Sequence, residues 1–156
     1  VGQLTKTIDE SFAKDGNYLL NVGPKPDGTF PDEAVSILGK IGKWYGKVKE
    51  SFIGTQPASE LTDNGDVLLT KKGNTLYVHL PGINSSGVTL DPIDVRPRKA
   101  VVLNTGDELK FDVELVPWPS LKTGKKYLHL WNIPVDRLAN EAVVLKLEFD
   151  SLPLKK

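Results

Sequence analysis

The sequence predicts an α+β chain in which a helix, a buried strand and a second helix lead into an antiparallel β-sandwich. Three observations carry that prediction. Apolar residues recur with a helical period up to about residue 50, they alternate with a period near two after a polar stretch at 56–65, and turn-forming residues punctuate the second part at short intervals. The 156 residues suffice to bury a sizeable core.

Over residues 4–14, Leu4, Ile8 and Phe12 fall every fourth position and mark one stripe of an α-helix. Gly16 is expected to end it as a left-handed C-terminal residue. The run Asn17-Tyr18-Leu19-Leu20-Asn21-Val22 is too short for a helix between its breakers and carries apolar side chains on both faces, as a buried parallel strand does. Gly23-Pro24 terminates it. Thr29-Phe30-Pro31-Asp32-Glu33 then supplies a capping hydroxyl, a first-turn proline and two acids at the positive end of a second helix. The core stripe of that helix reads Ala34, Ile37, Leu38, Ile41, Trp44, Tyr45 and Val48. Gly39, Gly42 and Gly46 lower its intrinsic propensity and suit close packing.

Residues 56–65 are polar and contain proline, and they read as a linker between a unit at 1–55 and a sandwich at 66–156. Residues 67–70 and 75–80 flank Lys71-Lys72-Gly73-Asn74 as a hairpin. Leu109, Phe111, Val113 and Leu115 alternate with Lys110, Asp112 and Glu114, and Val143, Leu145, Leu147 and Phe149 alternate with Val144, Lys146 and Glu148. Each segment is expected to be a strand with one buried face. Further strands are expected at 100–103 and 127–131, with a turn at Asn104-Thr105-Gly106-Asp107.

Composition removes several function classes. Twenty Lys and Arg balance twenty Asp and Glu without clusters of one sign, so no basic stripe is available for nucleic acid. No apolar run approaches the roughly 18 residues of a membrane helix. With no cysteine and two histidines, neither a thiol nucleophile nor a zinc site is expected. The chain has no methionine, which points to a segment or processed product of a longer protein.

A lone parallel strand between two helices has no ladder partner, so further strands are expected from outside the chain. The wording of this stretch, Gly16-Asn17-Tyr18-Leu19-Leu20-Asn21-Val22-Gly23-Pro24 with Asp27-Gly28 and Pro31, resembles the family 29 α-L-fucosidase pattern around the last barrel strand. Phe52-Ile53-Gly54-Thr55 is similar to the family's exit from the barrel, and Thr70-Lys71-Lys72-Gly73-Asn74-Thr75-Leu76-Tyr77 to the opening hairpin of its C-terminal sandwich. Asp63-Asn64-Gly65-Asp66 departs from the Trp-Gly pair that many relatives carry there. The resemblance implies the terminal helix-strand-helix of a (β/α)8-type barrel followed by an antiparallel β-sandwich. It also implies a parent enzyme that removes terminal α-L-fucose from glycans with retention, in a secreted, periplasmic or lysosomal setting. The family's aspartate nucleophile and its acid/base carboxylate lie on earlier barrel strands, so no catalytic residue is assigned here. The partners the resemblance implies are the remainder of the catalytic domain and a fucosylated glycan, with no cofactor or metal required.

Strand parity places Leu19 and Asn21 on one face and Tyr18, Leu20 and Val22 on the other. Asn21 then points into the barrel mouth, where its amide either meets a sugar hydroxyl or fastens the Gly23-Pro24 turn; the turn reading is preferred. Asp27, following proline and preceding glycine, reads as a turn residue rather than a catalytic acid. Tyr77 and His79 share one strand face, and Tyr127, His129 and Trp131 share another. Such faces either stack on sugar rings or pack at an interface, and packing is preferred. Two other functions stand beside the fucosidase segment: a non-catalytic carbohydrate-binding sandwich module and a purely structural fragment.

Overall fold

The computed structural model describes residues 1–82, 85–115 and 126–152. It is an α+β structure in three layers. Helices α1 (Gly2–Ala13) and α2 (Asp32–Val48) lie on one face of a five-stranded antiparallel sheet whose other face meets a three-stranded antiparallel sheet. In chain order the strands are β1 (Gln56–Pro57), β2 (Leu68–Lys72), β3 (Thr75–Leu80), β4 (Gly87–Leu90), β5 (Lys99–Val102), β6 (Lys110–Leu115), β7 (Lys126–Trp131) and β8 (Val143–Glu148). The large sheet runs β1-β2-β3-β8-β5 and the small one β4-β7-β6.

The first helix stops one residue earlier than its glycine suggests. Asp15, not Gly16, takes the left-handed conformation, with φ of 60°. The amide of Asp15 bonds back to the carbonyl of Phe12 at 3.0 Å, and that of Gly16 to the carbonyl of Ser11 at 2.8 Å. This is the 5→2 and 6→1 pair of a Schellman motif, which satisfies carbonyls the helix end leaves open. Gly16 is required for room instead, since a Cβ there would lie 2.9 Å from the Ser11 oxygen.

Residues 17–22 form no strand, because pairing needs a second strand alongside and among the described residues none lies beside this segment to exchange hydrogen bonds with it. They run without regular secondary structure, leaving Leu19 82% exposed. Alternation nevertheless survives: Leu19 and Asn21 are exposed, while Tyr18, Leu20 and Val22 are half-buried and Tyr18 packs against the cluster beneath the helices.

The second helix begins after Pro31, which is its N-cap rather than its first helical residue, and no side chain caps it. The Thr29 hydroxyl expected there donates to Asp27 instead, at 2.7 Å. Of the predicted stripe only Trp44 and Val48 are fully buried; Ala34, Ile37, Leu38, Ile41 and Tyr45 are half-buried. A Cβ on Gly39, Gly42 or Gly46 would meet nothing within 4 Å, so close packing does not use these glycines in this chain.

The stretch 56–65, expected as a linker, is built into the sandwich. Gln56 and Pro57 pair with Lys71 and Thr70 at the sheet edge, and Ala58 and Leu61 enter the core. Polar composition concealed this because an edge strand exposes one side and here both residues point to solvent. The hairpin Gly73-Asn74 joins β2 to β3, with Gly73 at φ of 56°.

Two clusters hold the layers together. Leu69, Leu76, Val78, Leu80, Leu145 and Leu147 on the large sheet pack with Leu90, Leu128 and Leu130 on the small one. Each fully buried leucine contributes about 1.5–3 kcal/mol relative to exposure. On the opposite face, Tyr77 and Val144 join Ile8, Trp44 and Val48 of the helices. The large sheet is thus buried on this second face as well at Tyr77, His79 and Val144, and Val144 fills a position that alternation alone assigns to solvent.

Candidate functional site

The loop after residue 22 is ordered by its own polar groups. Lys25 and Thr29 close it through Lys25 N–H to Thr29 carbonyl at 2.7 Å, and Gly28 turns it at φ of 82°. Asp27 accepts from the Thr29 amide at 3.0 Å and from its hydroxyl at 2.7 Å. Those two bonds hold the Asp27 carboxyl below its ordinary range, as suits a turn residue and not a proton donor. Asn21 is exposed, and among the described residues its side chain makes no hydrogen bond to the Gly23-Pro24 turn. Its amide is available to a ligand or to another chain segment.

Beneath the helices lies a buried polar chain that composition and strand parity did not reveal. Asp9 on α1 and His79 on β3 are both fully buried, and Oδ1 of Asp9 lies 2.8 Å from Nδ1 of His79. Nε2 of His79 is 3.0 Å from the Thr70 hydroxyl on β2, which in turn reaches the Ser51 carbonyl just after α2 at 2.8 Å. Phe52 stacks on the imidazole with centroids 5.3 Å apart. The one signal in the sequence was the spacing of Thr5, Asp9 and Ala13, a second four-residue stripe beside Ile8 and Phe12 that turns out to be buried as well. Tyr77 and His79 therefore do share a face, and it is the one covered by the helices.

The Tyr127, His129 and Trp131 ladder lies elsewhere, on the small sheet away from α1 and α2. Neighbouring rings are 6.3 and 5.0 Å apart, each pair inclined by 40°. His129 and Trp131 are half-buried and Tyr127 is 8% exposed. Glu114 on β6 lies 3.8 Å from His129 Nδ1 and accepts from the Tyr127 hydroxyl at 3.5 Å. Burial, followed by the charge of Glu114, pushes the Tyr127 phenol up. Alongside runs an open cavity of about 690 Å³ lined by Asn64, Asp66, Gly87, Thr89 and His129. Among the described residues no three His, Asp or Glu side chains converge to hold a metal ion.

Comparison with known proteins agrees with this architecture. Residues 2–50 match the family model described as Alpha-L-fucosidase. An α-L-fucosidase of Dictyostelium discoideum is 32% identical over 113 residues, which make up 70% of this chain and 24% of that protein. α-L-Fucosidase isoenzyme 1 of Paenibacillus thiaminolyticus superposes with a TM-score of 0.73 at 29% identity, over 96% of this chain and 34% of its own. An α-fucosidase of Thermotoga maritima in complex with fucose does so with a TM-score of 0.65 at 27% identity, over 94% of this chain and 34% of its own. The chain spans about a quarter of the length of the curated relatives it matches.

Two helices laid on a β-sandwich, similar along nearly their whole length to sugar-cleaving enzymes, place the chain among the glycoside hydrolases. Within that class it belongs to the α-L-fucosidase family.

Proposed function

We propose that this chain is the sandwich-bearing part of a retaining α-L-fucosidase and acts by supporting the catalytic barrel rather than by performing the chemistry. One observation carries the reading: among the described residues the helical unit is packed on one side only. Toward the sandwich it buries Ile8, Trp44 and Val48, while on other sides it exposes Leu19 at 82%, Val35 at 53% and the glycines of α2. Apolar surface of that kind suits burial against further protein. In the intact barrel, residues 17–22 gain neighbouring strands and become the buried strand their alternation describes.

On this reading the nucleophile and acid/base, two carboxyl groups about 5 Å apart in a retaining enzyme, belong to other barrel strands. Asn21, exposed and free of the turn, faces the substrate side, where it hydrogen-bonds a sugar hydroxyl or a catalytic carboxylate. Support for fucose as the sugar comes from the Thermotoga maritima relative, described in complex with it.

An aryl α-L-fucoside tests the assignment. The full-length enzyme is expected to turn it over and this chain alone is not; turnover by the chain would move the catalytic groups into it. A carbohydrate-binding module is the weaker reading, because rings inclined by 40° with Tyr127 nearly covered do not make a flat stacking platform. Titration of the chain with fucose and fucosylated oligosaccharides, flat before and after Trp131→Ala, is the expected result.

A further inference from the structure

We propose that Asp9, His79 and Thr70 form a proton-holding latch between α1 and the sandwich, one that grips at mildly acidic pH and loosens as the pH rises. Hydrogen-bond directions locate the protons. The Ser51 carbonyl only accepts, so the single hydroxyl proton of Thr70 points to it across 2.8 Å. The same hydroxyl oxygen lies 3.0 Å from Nε2 of His79, and that nitrogen must therefore be the donor. With Nε2 protonated, the 2.8 Å approach of Nδ1 to Oδ1 of Asp9 is a hydrogen bond only when one further proton lies between them. Whichever atom it sits nearer, the pair is neutral overall. It holds one proton more than a carboxylate beside a neutral imidazole.

The surroundings reinforce that state. Both side chains are fully buried, and Oδ2 of Asp9 is enclosed without a hydrogen-bond partner among the described residues. A bare carboxylate is costly in such a place. Burial accordingly raises the Asp9 carboxyl above its ordinary range, His79 opposes the rise and Glu10 adds to it. On the other elements around the pair, Glu50 after α2 and Lys146 on β8 neutralise each other at 3.2 Å. Tyr77 on β3 has its phenol pushed up by burial and then by Glu50. Lys47 on α2 is paired with Glu141 at 3.1 Å. Glu10 is thus the additional charge that acts on the latch, and it acts to keep the proton in place.

The sign follows from counting protons. An unfolded aspartate titrates near pH 4 and an unfolded histidine near pH 6.5, so above about pH 6.5 the unfolded chain has released the proton that the folded pair keeps. Stability falls with pH wherever the folded state binds more protons, and for one proton the unfolding constant rises by at most about tenfold per pH unit. The contribution is present on the acidic side and is lost as the pH climbs through the folded value of the pair.

Urea unfolding of this chain from pH 5.5 to 8.5, beside Asp9→Asn, tests the latch. The asparagine amide donates to Nδ1 without needing an extra proton, so the variant keeps the contact. The original chain is expected to show an unfolding constant that climbs toward tenfold per pH unit above about pH 7, and the variant to lack that climb. Equal slopes in the two would overturn the proposal. Nitrogen-15 NMR of His79 in the unmodified chain decides independently if the variant does not fold. A proton on Nε2 together with a hydrogen-bonded Nδ1 at pH 7 is expected, and a bare Nε2 or an Nδ1 with no hydrogen bond would sink the idea.

Discussion

The indole N–H of Trp44 on α2 donates to the backbone carbonyl of Ala142 at 2.9 Å, joining residues 98 positions apart across the boundary between the helices and the large sheet. Trp44 is 1% exposed, and its ring lies 6.3 Å from that of Phe52. The carbonyl it meets also accepts from the Asn104 amide at 2.9 Å, so this oxygen is a shared anchor for two distant segments. Trp44→Phe is expected to cost about 1 kcal/mol for the lost hydrogen bond, since the carbonyl keeps Asn104. Trp44→Ala is expected to cost about 3–5 kcal/mol by opening a cavity as well. Urea unfolding of both variants separates the two contributions.

Asn104 is expected to be as consequential as a core apolar residue despite standing in a turn. It is 5% exposed, donates to Ala142 and accepts from the Val144 amide at 2.9 Å. Its side chain thereby meets backbone groups at the start of β8. Asn104→Ala leaves the buried Val144 N–H without its partner, and a loss of about 1–3 kcal/mol is expected in the same unfolding assay.

Gly16→Ala tests the end of α1. The new Cβ would stand 2.9 Å from the Ser11 carbonyl, a backbone atom that cannot move without breaking the Schellman pair. A loss of about 1–3 kcal/mol is expected, with Tm lowered correspondingly.

The glycines of α2 offer a test in which the direction depends on context. At Gly39 and Gly42 a Cβ would meet nothing within 4 Å in this chain, and alanine in an exposed helix interior is favoured over glycine by about 1 kcal/mol. Gly39→Ala with Gly42→Ala is therefore expected to raise the Tm of the chain alone. If this face packs against the rest of the catalytic domain, the same pair lowers the stability of the full-length enzyme. A gain in both settings would show that the glycine face stays open to solvent in the enzyme.

Much of the sandwich was legible because its signals are local. Alternation at 109–115 and 143–149 marks β6 and β8, and Gly73-Asn74 marks the hairpin, since side-chain parity and turn chemistry depend on a few adjacent residues. Two strands escaped. In β1 both residues face solvent, and β4 is a four-residue edge strand opening on Gly87; neither carries enough apolar alternation to read. In the helical part, the spacing of Ile8, Trp44 and Val48 matches their burial, whereas nothing in the local pattern singles out Asp9.

By itself, then, the sequence determined the periods, the order of helices and strands, and the family wording at 16–31 and 70–77. Tertiary structure alone decided which sheet each strand joins: β5 and β6, joined by the turn at Asn104-Thr105-Gly106-Asp107, part to different sheets. It also decided that residues 17–22 stay unpaired among the described residues, that β8 is buried on its second face at Val144, and that Asp9 meets His79 across 70 residues. The physical reason is the same in each case. Pairing and burial are set by what lies opposite in space, and no window of neighbouring residues records that.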